Sequence, residues 1–273
     1  MPDERSAIDQ AHATVDALLQ GLQTVIRGKP AFLRKLLAGL VAGGHVLIQD
    51  MPGLGKTTVA KTLSRLISAG NDPVSFQRIQ FTPDLLPYDI TGVDVYDPDH
   101  HRFNFVPGPI FANVVLADEI NRSTPKVQSA LLEVMAEGQV TVGTRTHHLD
   151  DLFFVIATQN PIEIEGTYPL PLAQIDRFML RLELGYPDEE EEIGILRDDP
   201  SHRIMPFVEP VCGRTDVLAL QEAARSVHCS EELLRLVVRL TRHTRADEDV
   251  VFGASPRAGL MLIAAARAYA LIH

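Results

Sequence analysis

Apolar residues recur at helical spacing early in the chain. Val15, Leu18, Leu19, Leu22, Val25 and Ile26 fall on one face with polar residues between them, predicting an amphipathic helix that Gly28 breaks. "PAFLRKLLAGLVAGG" predicts a second helix, with Pro30 in its first turn, where a missing N–H removes no helical bond, and with Gly43 and Gly44 at its end. The rhythm then changes. "HVLIQD" is a short apolar run feeding a glycine-rich turn, after which "KTTVAKTLSRLISA" resumes helical spacing. Three more apolar runs, "PVSFQRIQF", "NVVLADE" and "LFFVIATQN", have the near-continuous character of parallel strands covered on both faces. Between the last two, in "STPKVQSALLEVMAEG", Val127, Ala130, Leu131, Val134 and Met135 share one face. Ser123 or Thr124 serves as its cap and Gly138 as its stop.

Two stretches interrupt this plan. "DVYDPDHHRFNFVPGPIF" holds two strand-like pieces around a polar turn at Asp97 to His101, and "QVTVGTRTHHL" alternates around Gly143, so each predicts a hairpin. After "GYPDEEEE" only helical patterns follow. The acid run itself reads as a solvated helix N-terminus, where carboxylates are favoured. The expectation is a three-layer α/β domain over residues 1–185, built on a parallel sheet with hairpin inserts, and a small all-helical domain over residues 186–273.

Composition narrows the class. The 273 residues are 45% hydrophobic and 22% charged, the balance of a chain with a core rather than a disordered one. A formal net charge of −11 weighs against a nucleic-acid-coating surface. The two cysteines, Cys212 and Cys229, match no metal-binding spacing and read as unpaired buried thiols of a reducing cytosol. The first residues are acidic and polar, unlike a signal peptide, and "AGLMLIAAARAYALIH" carries Arg267 and is too short to span a bilayer. A soluble cytoplasmic protein without a membrane span is expected.

Five short segments carry candidate chemistry. "DMPGLGKTT" follows a strand and opens a helix, the context of a phosphate-binding loop, although Asp50 stands where the pattern G-x-x-x-x-G-K-[ST] has its first glycine. Gly53 and Gly55 let the backbone turn its N–H groups toward phosphate, Lys56 reaches the β and γ phosphates, and the Thr57 hydroxyl suits Mg²⁺. Pro52, Leu54 and Thr58 complete the loop, and the strand exit at Asp50 is expected to matter less than the later glycines. In "VVLADEINRS" an apolar strand delivers Asp118 and Glu119 to its carboxyl end, where open α/β sheets bind ligands. Asp118 would hold Mg²⁺ through water, and Glu119 would orient and deprotonate an attacking water. Asn160, ending "VIATQN", would meet a γ-phosphate or that water, or cap the turn before Pro161. Arg177 in "AQIDRFML" is either a surface partner of Asp176 or a finger reaching a neighbouring subunit's ATP. Arg257 sits in the first turn of a helix capped by Ser255, an unfavourable place for a cation unless a phosphate or an acidic side chain lies near.

Together these segments resemble the AAA+ ATPases, and within them the MoxR family. The likeness runs from "TVIRGKPAFLRKLLAGLVAGGHVLIQDMPGLGKT" through "FTPDLLPYDITG", "FVPGPIFANVVLADEINRSTPKVQSALLEVMAEGQVTV" and "FFVIATQNPIEIEGTYPLPLAQIDRF" to "SPRAGL". The resemblance implies a P-loop NTPase (AAA+) core followed by an all-α lid. It further implies Lys56 and Thr57 as Walker A, Asp118 and Glu119 as Walker B, Asn160 as sensor 1, Arg177 as arginine finger and Arg257 as sensor 2. Val25, Ile26 and Gly28 resemble the segment that holds adenine. The two hairpins match the helix-2 and pre-sensor-1 inserts. ATP or ADP with Mg²⁺ follows as cofactor, and a hexameric ring as the assembly in which both arginines are useful. Family members continue past the sensor-2 helix, whereas His273 falls within or just after it, implying a lid without its last elements.

Three functions compete on this reading. One is an ATP-hydrolysing, chaperone-like remodeller that matures or activates protein clients, with von Willebrand A-domain proteins as partners by resemblance. The second is a nucleic-acid motor, for which the hairpin tip with Arg145, His147 and His148 gives a thin electrostatic footprint. The third is a nucleotide-gated scaffold, which has no need of a water-activating Glu119 beside Asp118.

Overall fold

The computed structural model describes residues 2–161 and 166–273. Helices α1 (Pro2–Val25) and α2 (Pro30–Val41) form where the apolar spacing predicts them, and Leu18, Leu22, Leu33, Leu36 and Leu37 are fully buried. Strand β1 (Val46–Gln49) leads through the glycine-rich turn into α3 (Lys56–Leu66). The helical run expected to reach Ala69 stops at Leu66, because Ile67–Ala69 is a strand, β2, paired with β3 (Asp72–Pro73). Ile67 is β-branched and fully buried, so extended backbone with a ladder partner outweighs its weak helical preference.

Strand β4 (Phe76–Gln80) and the short α4 (Pro87–Thr91) precede the first hairpin, β5 (Gly92–Asp97) with β6 (Arg102–Pro107). Strand β7 (Val114–Asp118) and α5 (Pro125–Glu137) come next, then the second hairpin, β8 (Gln139–Val142) with β9 (Arg145–His148). Strand β10 (Phe154–Gln159), α6 (Leu172–Ile175) and β11 (Leu180–Leu182) complete this part. Both predicted hairpins are present, and they meet where Phe105 stacks on His147 at 3.7 Å between ring centroids. Thr124 occupies the cap position of α5 but its side chain makes no capping bond, while the Ser123 hydroxyl donates to the Ile120 carbonyl. Gly138 stops the helix in a left-handed conformation.

The main sheet has the order β11-β1-β10-β7-β4, and every pair in it is parallel. Successive side chains on a strand point to opposite faces. Val46, Ile48, Val114, Leu116, Phe154 and Ile156 therefore pack with α1, α2 and α3, while Leu47, Val115, Ala117, Val155 and Ala157 pack with α5. Burying each of the larger side chains is worth about 1.5–3 kcal/mol, which is why the strands read as unbroken apolar runs. Parallel register also brings the carboxyl ends of β1, β7 and β10 to one edge, from segments far apart in sequence.

Beyond β11 lie α7 (Glu189–Asp198), α8 (Pro200–Arg203), α9 (Arg214–Ser226), α10 (Glu231–Ala246) and α11 (Pro256–Ile272). The region is helical apart from the two-residue strand β12 (Cys212–Gly213), which runs parallel to β2. The acid run opens α7 as predicted, with Asp188 and Glu191 forming a reciprocal capping box. Helices α9 and α11 pack on α1 and α2, so Val217, Leu220, Ala268 and Leu271 join the same buried cluster as Leu18 and Leu22. Cys212 and Cys229 are free, but half-buried rather than buried. Burial, with Asp216 adding to it, pushes the Cys212 thiol up to about 12. Among the described residues, no helix is long and apolar enough to cross a membrane.

Candidate nucleotide-binding site

The loop after β1 curls because Gly53 and Gly55 take φ values of 87° and 88°, a left-handed conformation that glycine adopts at no steric cost. Gly55 is the N-cap of α3, so the unpaired N–H groups of that helix's first turn open onto the loop. Lys56 Nζ donates to the carbonyls of Asp50 (2.9 Å) and Met51 (2.6 Å). Burial lowers the Lys56 pKa, against the opposing pull of Asp50, Asp118 and Glu119. Asp50 is more than a strand exit. Its Oδ1 accepts from the Met51 N–H at 2.9 Å, and its Oδ2 accepts from the N–H groups of Leu184 (2.7 Å) and Gly185 (2.6 Å).

The two carboxylates at the end of β7 are each held by neighbours from other strands. Asp118 Oδ1 accepts from the Thr158 hydroxyl, and Oδ2 accepts from Arg78 Nε (3.0 Å) and Nη2 (2.6 Å). Glu119 Oε2 accepts from Gln80 Nε2 at 2.7 Å and lies 3.3 Å from Arg122 Nη1. The Glu119 backbone sits at φ 56°, ψ 50°, an uncommon left-handed conformation for a residue with a side chain, and its N–H donates to the Thr158 hydroxyl. Strained backbone of this kind concentrates where side chains must be aimed.

A cavity of about 210 Å³ gathers Pro52, Gly53, Gly55, Lys56 and Thr57 with Arg78, Asp118, Glu119, Thr158 and Asn160. A second cavity of about 340 Å³ shares Pro52, Gly53 and Gly55 with it and adds Val25, Ile26, Leu54, Thr58, Leu184, Tyr186 and Ile195. One is polar and charged, and the other is walled mainly by apolar side chains. Gly28 lines neither. It is at φ +63°, and a Cβ there would lie 1.6 Å from Glu191 Oε1, so the absence of a side chain makes room for the carboxylate of α7. Arg177 and Arg257 also line neither cavity. Arg177 Nη1 donates to the Leu132 carbonyl at 2.8 Å. Arg257 is exposed on the first turn of α11. Ser255, which caps that helix through the Ala258 N–H, donates its hydroxyl to Asp176 at 2.6 Å, so an acidic side chain does lie at this N-terminus.

The donor set fits Mg²⁺ of the hydrated kind. Among the described residues no group of three or more His, Cys, Asp or Glu could hold a metal ion. Mg²⁺, however, usually keeps several waters and takes only one or two carboxylates together with phosphate oxygens. Thr57 and Asp118 on the wall of one cavity could supply that minimum.

Residues 45–180 match the family described as the ATPase family associated with various cellular activities (AAA). Chaperone MoxR1 of Mycobacterium tuberculosis is 42% identical over 272 residues, covering 95% of this chain and 70% of that protein. The chain belongs to the MoxR family of AAA+ ATPases. YeaC of Bacillus subtilis is 45% identical over 265 residues, covering 97% of this chain and 81% of that protein. The solved structure of a candidate ATPase from Cytophaga hutchinsonii superposes with a TM-score of 0.86 at 38% identity, covering 100% of this chain and 84% of that one.

Sequence reasoning about this MoxR-family chain missed the residues that hold the carboxylates. Arg78 and Gln80 are two apart on β4 and so share a face, but only the register of β4 against β7 aims them at Asp118 and Glu119. Thr158 was visible as a polar residue inside the apolar run "VIATQN". A buried hydroxyl there needs partners, and Asp118 and the Glu119 N–H are those partners.

Proposed function

We propose that this MoxR-family chain binds ATP and Mg²⁺ in the two adjacent cavities, hydrolyses ATP to ADP and phosphate, and uses the cycle to remodel protein clients as a homo-oligomeric ring. The observation that carries this reading is the convergence of Lys56, Asp118, Glu119 and Asn160 on one polar cavity that shares Pro52, Gly53 and Gly55 with an apolar one. The triphosphate belongs in the first and the base in the second, against Val25, Ile26 and Leu54. Mg²⁺, when bound, neutralises charge on the β and γ phosphates. Lys56 exchanges the carbonyls of Asp50 and Met51 for phosphate oxygens. Glu119, released from Gln80 and Arg122, takes a proton from the water that attacks the γ-phosphorus, while the bond from that phosphorus to the ADP oxygen breaks. Asn160 orients the same water or a γ-phosphate oxygen.

The placement of Arg177 and Arg257 outside both cavities supports action on a neighbouring subunit's nucleotide, as finger and sensor 2, in a closed heterologous ring such as a hexamer. In this reading residues 1–185 form the nucleotide-binding domain and residues 186–273 the lid. A chaperone role, with von Willebrand A-domain proteins among the partners and a cytoplasmic location, rests on the family and on relatives such as Chaperone MoxR1. The nucleic-acid alternative loses support, because His147 of the second hairpin is stacked on Phe105 rather than presented to a ligand. The test pairs two variants in a fluorescent-nucleotide titration and a phosphate-release assay. Glu119→Gln is expected to bind ATP without turnover, and Lys56→Ala to bind it at least tenfold more weakly, about 1.4 kcal/mol. Unchanged turnover in Glu119→Gln removes Glu119 from the role of base.

A further inference from the structure

We infer that Asp50 is a positioning residue that couples the phosphate-binding loop to the start of the C-terminal helices, an inference that rests on the nucleotide-binding reading above. Three N–H donors converge on its carboxylate: Met51 on Oδ1, and Leu184 and Gly185 together on Oδ2. Successive backbone N–H groups aimed at one oxygen form a nest for an anion, and Gly185 at φ +67° supplies the left-handed turn that such a nest needs. Only an acceptor-only side chain satisfies all three donors. Asparagine would set an NH₂ against at least one of them, and glycine, the residue of the common loop pattern, would leave all three without this partner. The departure from glycine at position 50 is therefore explained by what the position holds.

Both ends of this strut face the nucleotide site. Leu184 and Gly185 follow β11 at the entry to the helical region and line the apolar cavity. At the other end, the Asp50 carbonyl is one of the two acceptors of Lys56 Nζ. When Lys56 turns to phosphate, Asp50 loses that donor, and any shift of the loop is delivered through the carboxylate to residues 184 and 185. Without the carboxylate, the strand exit loses its direct link to residues 184 and 185, while the Thr58–Ser201 hydroxyl contact at 3.2 Å still joins α3 to α8.

Hydrogen exchange on the full chain, with and without pyrophosphate, tests this alongside a fluorescent-ADP titration of each protein and its displacement by pyrophosphate. Pyrophosphate has the size of the polar cavity, which Leu184 and Gly185 do not line, so a change at their amides has to come through the loop. In the wild type, exchange of these two amides is expected to be slow and to change severalfold on pyrophosphate binding. Asp50→Ala should exchange there roughly ten- to hundredfold faster, the loss of hydrogen bonds to a charged acceptor, and should show a much smaller pyrophosphate-dependent change although pyrophosphate still binds. Asp50→Asn is expected to be intermediate, and it carries the same comparison if the alanine variant does not fold. A pyrophosphate-dependent change of wild-type size in a variant that lacks the carboxylate, or none in the wild type, overturns the coupling alone. Failure of the wild type to bind ADP overturns the nucleotide reading, and the coupling with it.

Discussion

Acidifying the protein from pH 8 to pH 5 should destabilise it through one buried ring, that of His45, at the head of the strand that carries the nucleotide loop. His45 Nδ1 accepts from the Val155 N–H at 3.1 Å, which fixes the proton on Nε2, and Nε2 donates to the Met135 carbonyl at 3.2 Å. Burial lowers its pKa from 6.5 to about 4, with the Met135 contact opposing part of the fall. The folded protein thus keeps the ring neutral where the unfolded chain takes up a proton. Between about pH 6.5 and 4 the unfolded state binds more protons, so stability rises with pH across that window and is lost on acidification. With 1.36 kcal/mol per unit, the loss is about 2 kcal/mol at pH 5 and about 3 kcal/mol at pH 4. Urea unfolding followed by circular dichroism at pH 8, 6 and 5 measures it, with His45→Gln as the non-titrating control. The variant is expected to be about 1–3 kcal/mol less stable at pH 8, because the Val155 N–H loses its acceptor. Its decline from pH 8 to 5 should nevertheless be smaller than that of the wild type by about 2 kcal/mol, since the carboxylates common to both proteins cancel. Parallel declines in the two proteins refute the reasoning.

Other perturbations probe the site and the assembly. Arg177→Ala and Lys56→Ala, each expected to be inactive alone, should regain part of their ATPase activity when mixed, because a mixed ring pairs an intact loop with an intact finger; phosphate release that stays at background in the mixture removes the shared site. Arg78→Ala should free Asp118 Oδ2 and remove a cation beside it, tightening Mn²⁺ binding to the ADP complex by roughly two- to fivefold, the range for a partly exposed pair. Electron paramagnetic resonance of free Mn²⁺ reads that shift, and unchanged or weaker binding shows that Arg78 does not compete with the metal.

The sheet and its two flanking layers were legible because burial on both faces leaves an unbroken apolar signature at β1, β7 and β10. Helix ends that depend on distant partners were not. The stop at Leu66 comes from the pairing of Ile67–Ala69 with β3 and β12, and nothing within α3 announces it. The loop, Asp118, Glu119 and Asn160 could be picked out because each ends a strand in a local pattern, and parallel register then brings them into one cavity. Asp50 could not be understood locally, since its partners lie at Leu184 and Gly185. The resemblance implies a base-site role for Gly28, but Gly28 lines neither cavity, and its position is explained by Glu191, far along the chain.

The sheet order also fixes when the nucleotide site can exist. Strand β1 is hydrogen-bonded on one side to β10 and on the other to β11, both of which follow it by more than a hundred residues. A ribosome adding about 5–20 residues per second needs roughly 7 to 27 seconds to go from the end of β1 to the end of β11. Through that interval the nascent chain carries the glycine-rich fingerprint of a nucleotide protein with both edges of its central strand unpaired. Such edges template mispairing, so this is the stage at which the polypeptide itself most needs shielding. Asp50 finds its anchors only after β11 has emerged, which makes the first-translated motif of the site among the last to be secured.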